Sequence, residues 1–186
     1  MRMVAGLKPY WRVFYTQPRA EKKSAQRLTE QGFTIFLPVV VEVHQWKDRK
    51  KKVVEPLFRN YLFAHVNEAE RLWIAQAQGI VRCVTFAGRP AEVSEEEIDQ
   101  IKIMQRDPAS LTPDAYRRFP VGELVTVIQG PFQGLQGEVV DHRGEKHLVV
   151  QIHAIQQAVR IHLSHEWLKS EAKASRTSSL VNQSYA

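Results

Sequence analysis

The chain has 186 residues, 44% hydrophobic and 25% charged, a balance that excludes a disordered chain and allows one medium domain or two small ones. Its 26 Lys and Arg against 20 Asp and Glu give a net charge of +6, which draws the chain toward a polyanion, with nucleic acid the first candidate. A single cysteine, Cys83, excludes an intrachain disulfide framework and a cysteine-based zinc site. No apolar stretch reaches the length of a membrane span, and Met1 to Lys8 lacks the apolar core of a signal peptide, so a cytoplasmic protein is expected.

Taken in chain order, Trp11 to Thr16 is aromatic and β-branched and reads as a strand, which Pro18 ends. Arg19 to Gln31 reads as a helix, with Ala20, Ser24 and Leu28 on one face and Gly32 where it stops. Thr34 to Val43 is a strand interrupted by Pro38, which suits an edge or a bend. His44 to Lys52 (HQWKDRKKK) is basic around one tryptophan and reads as a hairpin tip or long loop. In the apolar run Val53 to Val66 that follows, Tyr61, Phe63 and His65 alternate with Leu62, Ala64 and Val66, giving two faces at period two. Glu68 to Gln78 reads as a helix and Ile80 to Phe86 as a strand that buries Cys83. Ser94 and Glu97 make a capping box before a helix whose inner face carries Ile98, Ile101 and Met104. The order β-α-β-β-α-β-α predicts an antiparallel sheet with helices on one side.

Asp107 to Pro120 holds three prolines and no apolar period, and reads as linker. Beyond it, glycines punctuate the short runs Leu124 to Ile128, Gly137 to Val140, His147 to Ile152 and Ala158 to Leu163, which predicts a small barrel. In GELVTVIQGPFQGLQGEV, residues 122–139, a strand ends at Gly130, a Gly-Pro-Phe turn follows, and Phe132 projects beside Leu135. Turn punctuation with Phe132 capping the barrel is the plain alternative to a binding role. Lys169 to Ala186 is small and polar, and disorder is expected.

This eighteen-residue stretch resembles the KOW motif of the NusG family of transcription factors. Upstream, Trp11 to Thr16 is similar to the family's opening strand. Glu55-Pro-Leu-Phe-Arg-Asn-Tyr-Leu-Phe63 is similar to its Phe-Pro-Gly-Tyr signature, and Gly79 to Val84 to a third motif; the whole covers about residues 10–169. The resemblance implies an α+β architecture. An NGN-type antiparallel sheet with helices would span residues 9–106, a linker 107–118, an SH3-like KOW barrel 119–169 and a disordered tail 170–186. Within the family, the Glu-Pro-Leu-Phe-x-Asn-Tyr run is closer to the operon-specific paralogue RfaH, and the basic run before it looks like the UpxY-type antiterminators. Arg59 stands where the signature has proline, and the barrel keeps the NusG-like Gly-Pro-Phe-x-Gly hairpin, unlike RfaH.

What the resemblance implies is a monomeric transcription elongation or antitermination factor. It would dock on the clamp helices of the largest RNA polymerase subunit and suppress pausing and termination on selected operons. By position, Tyr15, Phe58, Tyr61, Phe63 and Ile98 would form the docking patch. The alternative is core packing, and period two requires that for some of them. Glu70, Arg71 and Leu72 stand where RfaH touches the opposite jaw of the polymerase, with different residue types. Trp46, Lys47, Arg49, Lys50, Lys51 and Lys52 have the composition of a phosphate-contacting, base-stacking loop, and the non-template DNA strand would be its ligand; a solvated tip is the plain reading. Phe132, Leu135 and Ile155 occupy the positions by which housekeeping NusG binds a small-subunit ribosomal protein or Rho. Housekeeping NusG itself and a ribosome- or RNA-binding KOW module are the competing assignments.

No Walker loop, Rossmann glycine pattern or HExxH motif is present, so no catalytic residue and no cofactor is expected. His153, His162 and His165 invite a metal reading, but a β-rich stretch puts the last two on opposite faces, and surface histidines are expected.

Overall fold

The computed structural model describes residues 8–45, 49–115, 123–142, 145–163 and 165–170. In the first module the strands are β1 (Tyr10–Thr16), β2 (Thr34–Phe36), β3 (Val39–Gln45), β4 (Lys50–Pro56), β5 (Tyr61–Val66), β6 (Ile80–Cys83), β7 (Thr85–Phe86), β8 (Arg89–Pro90) and β9 (Glu92–Val93). Its helices are α1 (Glu21–Glu30), α2 (Glu68–Ala75) and α3 (Glu95–Met104).

The main sheet runs β2-β5-β1-β6, with β9 added to β1 and every neighbour antiparallel. The register sets Val13 opposite Phe63 and Tyr15 opposite Tyr61, so these four share one face, while Phe14 and Leu62 share the other. Phe14, Leu62 and Ala64 pack with Leu28 of α1 and Ile74 of α2. Trp11, Val13 and Phe63 pack with Ile98, Ile101 and Met104 of α3. The expectation of helices on one side is therefore corrected: β1 and β5 carry apolar side chains at consecutive positions, both faces must leave water, and α3 covers the second.

Local chemistry accounts for the helices. Glu21, Ser24, Ala25 and Leu28 form the buried stripe of α1, and Gly32, at φ +92°, ends it in the left-handed region. The capping box before α3 forms: the Ser94 hydroxyl accepts from the Glu97 amide at 3.1 Å, and Glu97 accepts from the Ser94 amide at 3.3 Å. Asn67 and Glu70 build the same box before α2.

The second module contains β10 (Leu111–Ala115), β11 (Glu123–Val127), β12 (Gln136–His142), β13 (Glu145–Ile152), β14 (Gln157–His162) and β15 (Leu168–Ser170). They are ordered β10-β14-β13-β12-β11-β15 around Val125, Val127, Leu135, Leu148, Val150, Ile152, Val159 and Ile161. The linker expected over 107–118 is corrected in its first part. Asp107 caps a 3-10 turn over Pro108–Ser110, and Leu111–Ala115 then pairs with 157–161 of β14, Leu111 buried opposite Ile161. Pro113 is tolerated because β10 is an edge strand, where a missing N–H breaks no inner ladder. Lys169 and Ser170, expected to begin a disordered tail, instead end β15 and pair with Thr126 and Val125 of β11; the remainder of that linker and the tail beyond residue 170 lie outside the described residues.

Two glycines of the 122–139 stretch have separate reasons. Gly130 takes φ +79°, and a Cβ there would lie 2.6 Å from the Trp167 ring. Gly137 sits within β12, where a Cβ would meet the Val149 carbonyl at 2.6 Å, so close strand approach and not chain reversal demands it.

Candidate nucleic-acid interface and docking face

Among the described residues, strands β3 and β4 pair only with each other and stand as a two-stranded ribbon outside the main sheet. Of the segment expected as a hairpin tip or long loop, His44 and Gln45 close β3, Lys50 to Lys52 open β4, and Gln45 faces Lys50, so the segment lies at the end of a β3–β4 hairpin. The β-branched residues Val39, Val40, Val41, Val43, Val53 and Val54 favour this extended pairing. Trp46 and Lys47 lie outside the described residues; Arg49 to Lys52 are exposed.

The base of the ribbon is fastened. The Gln105 side-chain amide donates to the Val39 carbonyl at 3.0 Å and accepts from its N–H at 2.7 Å, imitating a strand partner. Lys22 of α1 reaches the Val54 carbonyl and the Glu55 carboxylate, and Arg59 reaches Glu42 at 3.4 Å. Between α1 and the ribbon lies a recess of about 610 Å³ lined by Arg19, Glu21, Lys22, His44, Glu55 and Arg59. Its Lys22 and Arg59 are matched by Glu55 and Glu42, and Glu21 is buried, accepting from the Asn60 amide at 2.8 Å. With carboxylates interleaved among its cations, the recess offers a polyanion little net attraction.

The aromatic residues fall into two groups. Tyr15 and Tyr61 are half-buried and meet edge to face, ring centres 5.3 Å apart, with the Arg82 guanidinium 5.9 Å over Tyr15. Phe58, Phe63 and Ile98 are buried, Phe58 to 2% exposure with its ring 6.0 Å from Phe63. On α2, Glu70 serves in the capping box, Arg71 pairs with Glu68, and Leu72 is exposed. Arg71 holds the Glu68 carboxyl below its usual range through that hydrogen bond, while burial pushes the Cys83 thiol up, so Cys83 is an inert core residue at neutral pH.

Phe132, Leu135 and Ile155 are also buried, and one continuous apolar cluster runs from Trp11, Phe58 and Ile98 through Met104 to these three and the barrel core. The barrel thus sits against α3. Among the described residues, side chains on the α3 side bond to barrel backbone at three places. Glu97 accepts from the His153 amide at 3.1 Å, Gln100 accepts from the Gln136 amide at 2.8 Å, and Arg106 donates to the Gln133 carbonyl at 3.3 Å. Glu97 therefore caps α3 with one oxygen and holds the barrel with the other. This seam was not expected from the sequence; Glu97 and Gln100 at i, i+3 were its one trace, and polar helix residues at that spacing ordinarily face solvent. Of the three histidines, His153 lies beside Glu97, His162 lies across the sheet from His147 at 5.7 Å between rings, and the side chain of His165 lies outside the described residues.

A sheet-and-helix module with a projecting basic ribbon, carrying a small β-barrel docked on its last helix, defines a two-module α+β protein. The family model described as "Transcription termination factor nusG" matches residues 9–102, from the start of β1 into α3, and the chain belongs to the NusG family. The "Transcription termination/antitermination protein NusG" of Rickettsia bellii is 26% identical over 171 residues, spanning 86% of this chain and 88% of that one. Its Helicobacter pylori counterpart is 31% identical over 117 residues, 59% of this chain and 65% of the relative. The solved structure described as "Domain interaction in Thermotoga maritima NusG" superposes with a TM-score of 0.50 at 20% identity, covering 87% of this chain and 97% of that chain, which shows a shared fold.

Proposed function

We propose that this member of the NusG family is a polymerase-associated antitermination factor. Its first module binds the clamp helices of the largest RNA polymerase subunit, and the bound factor suppresses pausing and termination on selected operons. The observation that carries the reading is the α3-side sheet face. Tyr15 and Tyr61 offer half-exposed aromatic area beside Phe58, Phe63 and Ile98, which are buried in the adjoining apolar cluster. Aromatic area of this kind dominates interface energetics, because it contributes contact at small entropic cost. The barrel's fastenings are hydrogen bonds and apolar packing, which a helical partner can replace. Trp46, Lys47, Arg49 and Lys50 to Lys52 supply the accompanying DNA contact, in keeping with their charge.

The test is retention on core polymerase free of nucleic acid. Tyr15→Ala with Tyr61→Ala is the informative pair, since truncating buried Phe58 costs about 3–5 kcal/mol and confounds folding with binding. Retention is expected to fall at least ~10-fold, the equivalent of ~1.4 kcal/mol. Equal retention of both forms removes the docking face. The other reading, coupling to a small-subunit ribosomal protein or Rho, draws on Phe132, Leu135 and Ile155. All three are buried, Leu135 within the barrel's own core, and the turn that carries Phe132 lies against α3, so such binding requires that turn to be uncovered.

A further inference from the structure

We propose that Arg82 is the charged anchor of the α3-side sheet face, and that it receives a carboxylate from a helical partner. This rests on the polymerase-docking reading of that face, and it specifies the chemistry of the group the face meets.

The register places Arg82. It stands directly opposite Tyr15 across β6 and β1, and Tyr15 stands opposite Tyr61 across β1 and β5. Opposed residues share a face, so Arg82, Tyr15 and Tyr61 form one row across three strands, and β6 ends the sheet. Both rings are half-buried, and Arg82 is exposed. Its guanidinium lies 5.9 Å from the centre of the Tyr15 ring, and the two tyrosine rings meet with their centres 5.3 Å apart.

The charge of this row has no partner among the described residues. Arg12, Arg59 and Arg71 each meet a carboxylate, and Arg27 and Arg106 each donate to a backbone carbonyl. The Arg82 side chain, besides its ring contact, makes neither an ion pair nor a hydrogen bond within the described residues. A guanidinium is planar and weakly hydrated, so the ring shields one side of it and leaves its donors open on the other. A carboxylate matches that fork with two parallel N–H···O bonds, stronger than neutral ones. The row holds one cation beside two aromatic rings, whereas a nucleic-acid surface draws on several phosphate contacts. Spacing fits a helix as well, since neighbouring strands lie about 4.8 Å apart and a helix rises about 5.4 Å per turn. A helix laid along the row sets an apolar residue on the tyrosines and an aspartate or glutamate one turn on, at Arg82.

The experiment measures the affinity of the full chain for core polymerase free of nucleic acid. Arg82→Gln should bind about 10-fold more weakly, and Arg82→Glu more weakly still, because its carboxylate repels the one it meets. Arg82→Lys should fall between wild type and Arg82→Gln, since an ammonium keeps the charge and loses the fork. Arg82 is exposed, so the urea midpoint of each variant stays near that of wild type. Lys23→Glu, on the exposed side of α1, makes the same change in net charge as Arg82→Glu and should bind as wild type does. Equal affinities of Arg82→Gln and Arg82→Glu, or as large a loss in Lys23→Glu, overturn the proposal. Tyr15→Ala with Tyr61→Ala reads the docking face separately. A loss there with full affinity in Arg82→Glu keeps the face and removes its anchor, whereas no loss there removes the face itself.

Discussion

Gly137 shows how much one hydrogen atom decides. Its strand passes so close to β13 that a methyl group would lie 2.6 Å from the Val149 carbonyl and 2.9 Å from Leu148 Cδ1. Backbone cannot give way as a flexible side chain can. Gly137→Ala is expected to destabilise the barrel by about 1–3 kcal/mol, seen as a lower urea midpoint. An unchanged midpoint means that the strands spread without penalty. Phe132 teaches the opposite lesson about reading single residues. A phenylalanine after Gly-Pro in a turn suggests a projecting side chain, yet it is buried because α3 lies over that turn.

Among the elements, α3 does the most. Its capping box satisfies amides that the first helical turn cannot, its apolar stripe covers the second sheet face, and its polar edge binds the barrel. Ser94→Ala removes one cap acceptor and should cost about 1 kcal/mol of stability. Glu97→Ala removes the reciprocal cap bond together with the link to the His153 amide, and should cost more than Ser94→Ala in the same urea titration. If the two variants are equal, the carboxylate contributes nothing to docking. The capping box and the Ile98, Ile101, Met104 stripe were legible beforehand, since both are local patterns. Which element the stripe would face was not, because a helix stripe states only that a partner exists.

For the molecule as a whole, the docked barrel governs which surfaces are available. Ile103 packs at the seam, its Cδ1 3.8 Å from where a Cβ at Gly134 would lie. Ile103→Asp places a charge in that contact and should release the barrel while both modules stay folded. Amide exchange reads this directly: the Gln136 and His153 amides, bonded to Gln100 and Glu97, should lose protection, whereas the β13 ladder keeps it. Protection retained at both amides rejects a separable seam. On the proposed function, the same variant should bind polymerase more tightly, because the face no longer exchanges one cover for another.

By itself the sequence determined the local elements: strands from period-two runs, helices from stripes and caps, the barrel from glycine-punctuated β-branched runs, and a basic segment between two strands from its composition. The NusG resemblance followed from motifs of the same kind, written in consecutive residues. Only the tertiary structure decided that α3 lies on the opposite sheet face from α1 and α2, that Leu111–Ala115 joins the barrel edge, and that Phe58, Ile98, Phe132, Leu135 and Ile155 share one buried cluster. The reason is physical. Propensity and capping act over a few residues, whereas burial of a given face depends on partners brought together from distant parts of the chain.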